Sequence, residues 1–253
     1  MSIDTIAVAG ATGRLGRHVV DVLTEQGRQA VPMSRATGVD IVTGEGLDAA
    51  LTGVDAVIDV ASWHASDEAA ATEFFRVAAR SLHEAGQRAG VRRIVAVSII
   101  GADKATSGFI VSQQVHEAAH LAGPVPVRLL RAAQFHEFVG QLLDWQPGDT
   151  AYLPNLPTQL VAARTVAEEL VRLAVEPEAG PVQEAPIPEI AGPRREIMAE
   201  AGALLGERRG VKVVGIDNPD MPDADLAAAG AFLPGPHAKL AGPTFAEWLE
   251  AQG

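Results

Sequence analysis

The chain has 253 residues, 47% hydrophobic and 21% charged, with a formal net charge of −12; its mean hydropathy is +0.13 and its pI near 5.0. That length suits one large α/β domain, or a core domain with a small appendage, and buries enough core to need no metal or disulfide for folding. Cysteine is absent, which excludes disulfides, thiolate metal sites and cysteine nucleophiles. Lys+Arg 20 against Asp+Glu 32 argues against a surface for nucleic acid or anionic membranes. No apolar run is long enough to span a bilayer. Met1-Ser2-Ile3-Asp4 carries no basic leader, so the expectation is a soluble cytoplasmic protein.

Ile3 to Ala9 predicts a short apolar strand, followed by Gly10-Ala11-Thr12-Gly13-Arg14-Leu15-Gly16. Behind that loop Leu15, Val19, Val22 and Leu23 recur at helical spacing. A second strand, Ala30 to Met33, ends at Ser34-Arg35. A short helix near 45–51 leads to a strand over 56–61 and a helix over 68–89, which Gly90 is placed to end. A strand over 93–98, a helix near 112–122 and a strand over 125–131 complete this half. The alternation predicts an α/β fold: a Rossmann-type doubly wound parallel sheet with helices on both faces. After about Gln146 prolines interrupt the pattern. There Thr165-Val166-Ala167-Glu168 and Thr244-Phe245-Ala246-Glu247 each read as a capping box opening a helix, and Val211 to Ile216 as one more strand. The expected organisation is a Rossmann-type core over 1–146 and a smaller substrate-binding cap over 147–253, forming a single integrated unit. Its ligands are expected along the carboxyl edge of the sheet.

Gly10, Gly13 and Gly16 stand between the first strand and the first helix, the context that lifts a glycine triplet above chance. The first permits the tight turn, the second lets backbone approach a pyrophosphate, and the third allows close helix–strand packing. The helix N-terminus then offers amides and a favourable dipole to the anion. An acid at the end of the second strand would bind the ribose hydroxyls of NAD. This chain has Met33-Ser34-Arg35 there, with Arg14 in the loop, and two guanidiniums and a hydroxyl suit the 2′-phosphate of NADP(H).

The sequence resembles the atypical short-chain dehydrogenases/reductases, specifically the NmrA-like NAD(P)-binding group. The resemblance is carried by residues 9–16, Ser34-Arg35, Gly53-Val54-Asp55-Ala56-Val57-Ile58-Asp59, Val97-Ser98-Ile99-Ile100-Gly101 and Leu130-Arg131-Ala132-Ala133-Gln134-Phe135. It implies that Gly10, Thr12, Gly13, Arg14, Leu15 and Gly16 cradle the pyrophosphate. Ser34 and Arg35 would hold the 2′-phosphate, and Ala61 and Ser62 would border the adenosine half. Ser98 would correspond to the hydroxyl that bonds a substrate carbonyl in active relatives. Members include NADPH-dependent reductases of quinones and other carbonyl compounds, and redox sensors that bind NADP without turnover.

The departure from that pattern is chemical. Catalytic members place a Tyr-x-x-x-Lys pair on the helix after Ser98, where the Lys lowers the phenol pKa for proton transfer. The aligned segment here reads Phe109-Ile110-Val111-Ser112-Gln113, and Tyr152 is the sole tyrosine of the chain. Hydride delivery to an isolated ketone demands a proton for a strongly basic alkoxide. A quinone gives a weakly basic hydroquinone anion that takes its proton from water. The expectation is therefore an NADPH-dependent oxidoreductase acting on a quinone or conjugated aromatic ketone, a small-molecule substrate. A variant drawn by analogy is aromatic polyketide tailoring, in which quinone reduction supports oxygenation. Trp63, His64, Phe109, Phe135 and Phe138 are candidates for a flat aromatic pocket. His136 is the candidate replacement acid, with Gln113 and Ser98 as oxygen binders. The alternative class is a catalytically silent NADP-binding redox sensor.

His116-Glu117-Ala118-Ala119-His120 matches the H-E-x-x-H pattern of zinc hydrolases, with both His on one helical face. A catalytic zinc needs a third protein ligand, and Glu137 or His136 is only a formal candidate. Since the helix is already accounted for by the dinucleotide fold, no metal is expected.

Overall fold

The computed structural model describes residues 3–63, 67–177, 186–218 and 220–252. The first half follows the expected alternation: β1 (Thr5–Ala9), α1 (Arg14–Glu25), β2 (Gln29–Met33), α2 (Leu47–Ala50), β3 (Ala56–Asp59), α3 (Glu68–Ala89), β4 (Arg93–Ile99), α4 (Phe109–Leu121) and β5 (Val127–Ala132). The second half contributes α5 (His136–Asp144), β6 (Thr150–Pro154), β7 (Pro157–Thr158), α6 (Ala163–Val175), β8 (Glu189–Ala191), β9 (Glu196–Ile197), α7 (Met198–Arg209), β10 (Lys212–Ile216), α8 (Ala224–Ala228), β11 (Lys239–Leu240) and α9 (Phe245–Ala251).

Seven strands hydrogen-bond in the order β11-β8-β5-β4-β3-β1-β2. The pairs β1–β2, β1–β3, β3–β4, β5–β8 and β8–β11 are all parallel. Strand order reverses at β1, which pairs with both β2 and β3, and such a switch point is where open α/β sheets open a crevice for ligands. The chain divides into two compact units that are not contiguous stretches. One comprises Met1–Ser98, Phe109–Leu130 and Val166–Ile187; the other comprises Ile99–Gly108, Arg131–Thr165 and Pro188–Gly253. The chain thus passes repeatedly between units, instead of once near residue 146.

In the first unit, strand residues Ala7, Val57, Ile94 and Leu129 and helix residues Ala78, Leu82 and Ala85 form one buried apolar cluster. Small residues on α3 suit a helix that must lie close to the strands. The α3 boundaries follow from end chemistry: the Asp67 carboxylate accepts the Ala69 and Ala70 amides at 2.9 and 3.3 Å, and Gly90 ends the helix at φ +76°.

The second unit has its own core, built from Val139 and Leu143 of α5, Ala151 and Leu153 of β6, Ala201 and Leu205 of α7, and Phe245 and Leu249 of α9. The strand expected over 211–216 exists as β10, but it pairs in parallel with β6 in a separate two-stranded sheet. The Thr244 capping box opens α9 as expected. The Thr165 box does not open a helix: α6 already begins at Ala163, whose amide bonds the Glu137 carboxylate at 3.2 Å. Supplied from α5, that carboxylate takes the place of a local cap. α4 likewise begins at Phe109, a turn before the expected start.

Candidate functional site

The loop after β1 is built so that only glycine fits it. Gly10 sits at φ +80°, and a Cβ there would lie 2.8 Å from the Ala61 Cα and amide nitrogen. A Cβ on Gly16 would lie 2.1 Å from the Gly10 carbonyl oxygen, well inside van der Waals contact. The loop is tied to β2, because Gly10 and Ala11 donate to the Met33 carbonyl at 3.0 and 3.3 Å. At its end α1 starts on Gly13, with no side-chain cap and no acid in its first turn. Thr12, Gly13 and Arg14 are exposed, whereas the Leu15 side chain is buried and leaves only its backbone for the loop's chemistry. Uncapped amides at a positive helix end, approached by backbone alone, fit a phosphate group.

The Met33 carbonyl that holds this loop immediately precedes Ser34 and Arg35. The Ser34 amide donates to Thr37 Oγ1 at 2.9 Å and the two hydroxyls lie 3.4 Å apart, which fixes the turn. Arg35 is exposed beside it. Of the expected neighbours of the loop, Ala61 packs against Gly10, and Ser62 is exposed. His64 lies outside the described residues.

Ser98, at the end of β4, is buried, and its hydroxyl has no hydrogen-bond partner among the described residues. Leaving such a group unsatisfied costs about 1–3 kcal/mol, a cost tolerated at functional positions. Gln113 is also buried. Trp63 and Phe109 stand at the two ends of an aromatic row: Trp63 to Phe74 at 5.2 Å, Phe74 to Phe75 at 5.3 Å, and Phe75 to Phe109 at 6.0 Å. The Trp63 indole nitrogen is buried without a partner among the described residues.

A buried polar cluster continues from this row through His116, whose ring centroid is 4.9 Å from Phe75. His116 and His120 reach the Asp59 Oδ2 through Nε2 at 3.3 and 3.1 Å, and the two Nε2 atoms are 3.0 Å apart. Asp59 Oδ1 accepts the Ala61 amide at 3.0 Å. His120 Nδ1 meets His83 Nε2 at 3.3 Å, and His83 Nδ1 accepts the Val125 amide at 3.2 Å. Since an amide only donates, this chain orders the protons: His83 carries its proton on Nε2 and His120 on Nε2, facing Asp59. Burial alone would raise the Asp59 carboxyl, but hydrogen bonds and charge from His116 and His120 outweigh it and hold the group well below the usual carboxylate range. Burial lowers His120, and burial with the His120 charge lowers His83 to about 4. The H-E-x-x-H pattern therefore converges on a carboxylate that its own spacing gave no means to find. The signal for it in the sequence was a lone acid closing the apolar run Ala56-Val57-Ile58.

His136 and Phe138, on α5, and Phe135, before it, belong to the second unit. His136 is 0% exposed, bonds the Leu160 carbonyl through Nε2 at 3.1 Å, and packs edge-on against Phe245 and Trp248 at 5.4 and 5.3 Å. Burial pulls its pKa down to about 4, so near neutrality it carries no proton to spare. This placement argues against His136 as the proton donor and makes it a core residue. Phe138 packs partly buried against the same core and Trp145, and Phe135 is half-buried beside a bridge to Val161.

Residues 10–122 match a family model for NAD(P)H-binding proteins. The chain is 27% identical to a ceramide reductase of Caulobacter vibrioides over 263 residues, covering 90% of this chain and 77% of that protein. Among solved structures, a short-chain dehydrogenase/reductase superfamily protein of Agrobacterium tumefaciens with bound NAD superposes with a TM-score of 0.69 at 17% identity, covering 98% of this chain and 95% of that one. An NADPH-dependent quinone oxidoreductase of Escherichia coli gives 0.62 at 17% identity, with 98% and 99% covered. No helix among the described residues is long and apolar enough to cross a membrane. Residues 10–122 are thus similar to NAD(P)H-binding proteins, and the chain shares its fold with these dinucleotide-binding structures.

Proposed function

We propose that the protein is an NADPH-dependent reductase of quinones or conjugated aromatic ketones. The observation that carries this reading is the loop at Gly10–Gly16, hydrogen-bonded to the Met33 carbonyl just ahead of Ser34 and Arg35. A phosphate-fitting loop beside an exposed guanidinium, with Met33-Ser34-Arg35 and no acid at the end of the second strand, favours the 2′-phosphorylated cofactor. When bound, NADPH supplies the hydride.

The chain's own contribution is binding and orientation. Ser98, with its unsatisfied hydroxyl, and Gln113 are the groups offered to a substrate oxygen, while Trp63 and Phe109 offer aromatic faces to a flat acceptor. Phe109 and Gln113 stand where active relatives have Tyr and Lys, so no phenol delivers a proton. An acceptor whose reduced form is a weakly basic hydroquinone anion needs none. The ceramide reductase and quinone oxidoreductase likenesses are compatible with reduction of a carbonyl or quinone.

The test follows NADPH absorbance with a panel of quinones, anaerobically and in air, beside Arg35→Ala. Acceptor-dependent oxidation is expected. Arg35→Ala should raise KM for NADPH by about 10- to 100-fold, the worth of one charge-assisted phosphate contact, and leave NADH kinetics nearly unchanged. Excess consumption in air would point to oxygen chemistry downstream of the reduced quinone. Tight NADPH binding without oxidation of any acceptor would instead support a redox sensor, and absence of binding would overturn both.

A further inference from the structure

We propose that Asp59, His116 and His120 form a binding site for a divalent transition-metal ion of the zinc class, inside the first unit. Asp59 Oδ2 and the two Nε2 atoms make a triangle with sides of 3.0, 3.1 and 3.3 Å. The centre of such a triangle lies about 1.8 Å from each corner, so an ion at the ~2.0–2.2 Å that zinc takes to imidazole and carboxylate ligands stands just off the ligand plane. Two imidazoles and one carboxylate suit zinc, and three protein ligands leave a fourth position for water.

Rigid elements hold the ligands. His116 and His120 lie one turn apart on α4, and Asp59 ends β3, where its second oxygen is fixed by the Ala61 amide. All three are at most 2% exposed. A cavity of about 320 Å³ lies beside the end of α4, lined by His120, Leu121, Gly123 and residues 124–127. Gly123 belongs to this arrangement: a Cβ there would lie 2.3 Å from the His83 ring.

Entry of the ion reorders protons without adding or removing any from His83 and His120. His120 must vacate Nε2 and carry its proton on Nδ1, where it faces His83 Nε2. His83 then has to accept there, move its own proton to Nδ1 and release the Val125 amide. The His83–Val125 bond seen at 3.2 Å is therefore the one that metal binding breaks. Most metal-bound histidines donate their other N–H to an oxygen acceptor. A glutamine at 83 would supply one, and His83→Gln is expected to tighten metal binding by about 10-fold.

The experiment titrates chelator-stripped protein with zinc against a chromophoric zinc chelator. One equivalent should bind, and His116→Gln and His120→Gln should each weaken it by more than about 100-fold with the helical circular dichroism retained. In the wild-type protein the Val125 amide resonance should shift and saturate at the same single equivalent. Uptake below about one-tenth of an equivalent, uptake undiminished in both glutamine variants, or a Val125 resonance that stays still while zinc binds would each overturn the site. The Val125 reading holds even where a variant fails to fold.

Discussion

Gly16 shows how one hydrogen atom in place of a methyl group sets what a loop is able to do. Its missing Cβ leaves room for the Gly10 carbonyl, which would otherwise lie 2.1 Å away. Gly16→Ala forces that oxygen aside, and with it the amide of Gly13, which bonds the same carbonyl at 2.9 Å. The expected outcome is a loss of dinucleotide affinity of at least about 10-fold together with about 1–3 kcal/mol of stability. Isothermal titration with NADPH and a urea unfolding curve check the two parts. At this scale the glycine triplet was legible in the sequence because glycine is chosen by local backbone sterics. The role expected of His136 was not, because whether an imidazole meets water or two aromatic rings depends on residues more than a hundred positions away, Phe245 and Trp248.

Among the elements, α9 spans seven residues and is too short to be stable alone. Two things hold it. Phe245 and Leu249 are buried in the second unit's core, and the capping box pairs the Thr244 amide with Glu247 Oε2 at 2.9 Å and the Glu247 amide with Thr244 Oγ1 at 3.3 Å. Thr244→Ala should therefore cost about 1 kcal/mol, read as a lower urea midpoint, whereas Thr165→Ala should not carry a capping cost. The two sequences look alike. They differ in their surroundings: the Glu137 carboxylate reaches Ala163 and starts α6 two residues ahead of Thr165. Helix α3 is the converse case, where an Asp at one end and a glycine at the other set both boundaries locally.

For the whole molecule, the buried imidazole of His136 links stability to pH. Burial lowers its folded pKa to about 4, from an ordinary 6.5. A depressed folded pKa means that the unfolded chain takes up the proton first. Its contribution to stability is complete above pH 6.5 and is lost progressively as pH falls towards 4. The loss should amount to on the order of 1–3 kcal/mol, seen as a falling urea midpoint between pH 7.5 and 5. His136→Phe should lessen that dependence, leaving the part due to His83 and His120, which burial also lowers. Unchanged slopes in the two proteins would remove His136 as its source.

The sequence by itself determined the alternation of strands and helices, the glycine loop, the ends of α3 and the absence of the Tyr-x-x-x-Lys pair. These rest on period, local sterics and residue identity, all of which act within a few positions of the chain. Only the tertiary structure decided the rest. It added β8 and β11, each two or three residues long, to the sheet beyond β5, where pairing partners rather than propensity make a strand. It buried His136. It also brought Asp59 to His116 and His120 across separations of 57 and 61 residues, because β3 and α4 lie within one unit, where the three buried side chains hydrogen-bond.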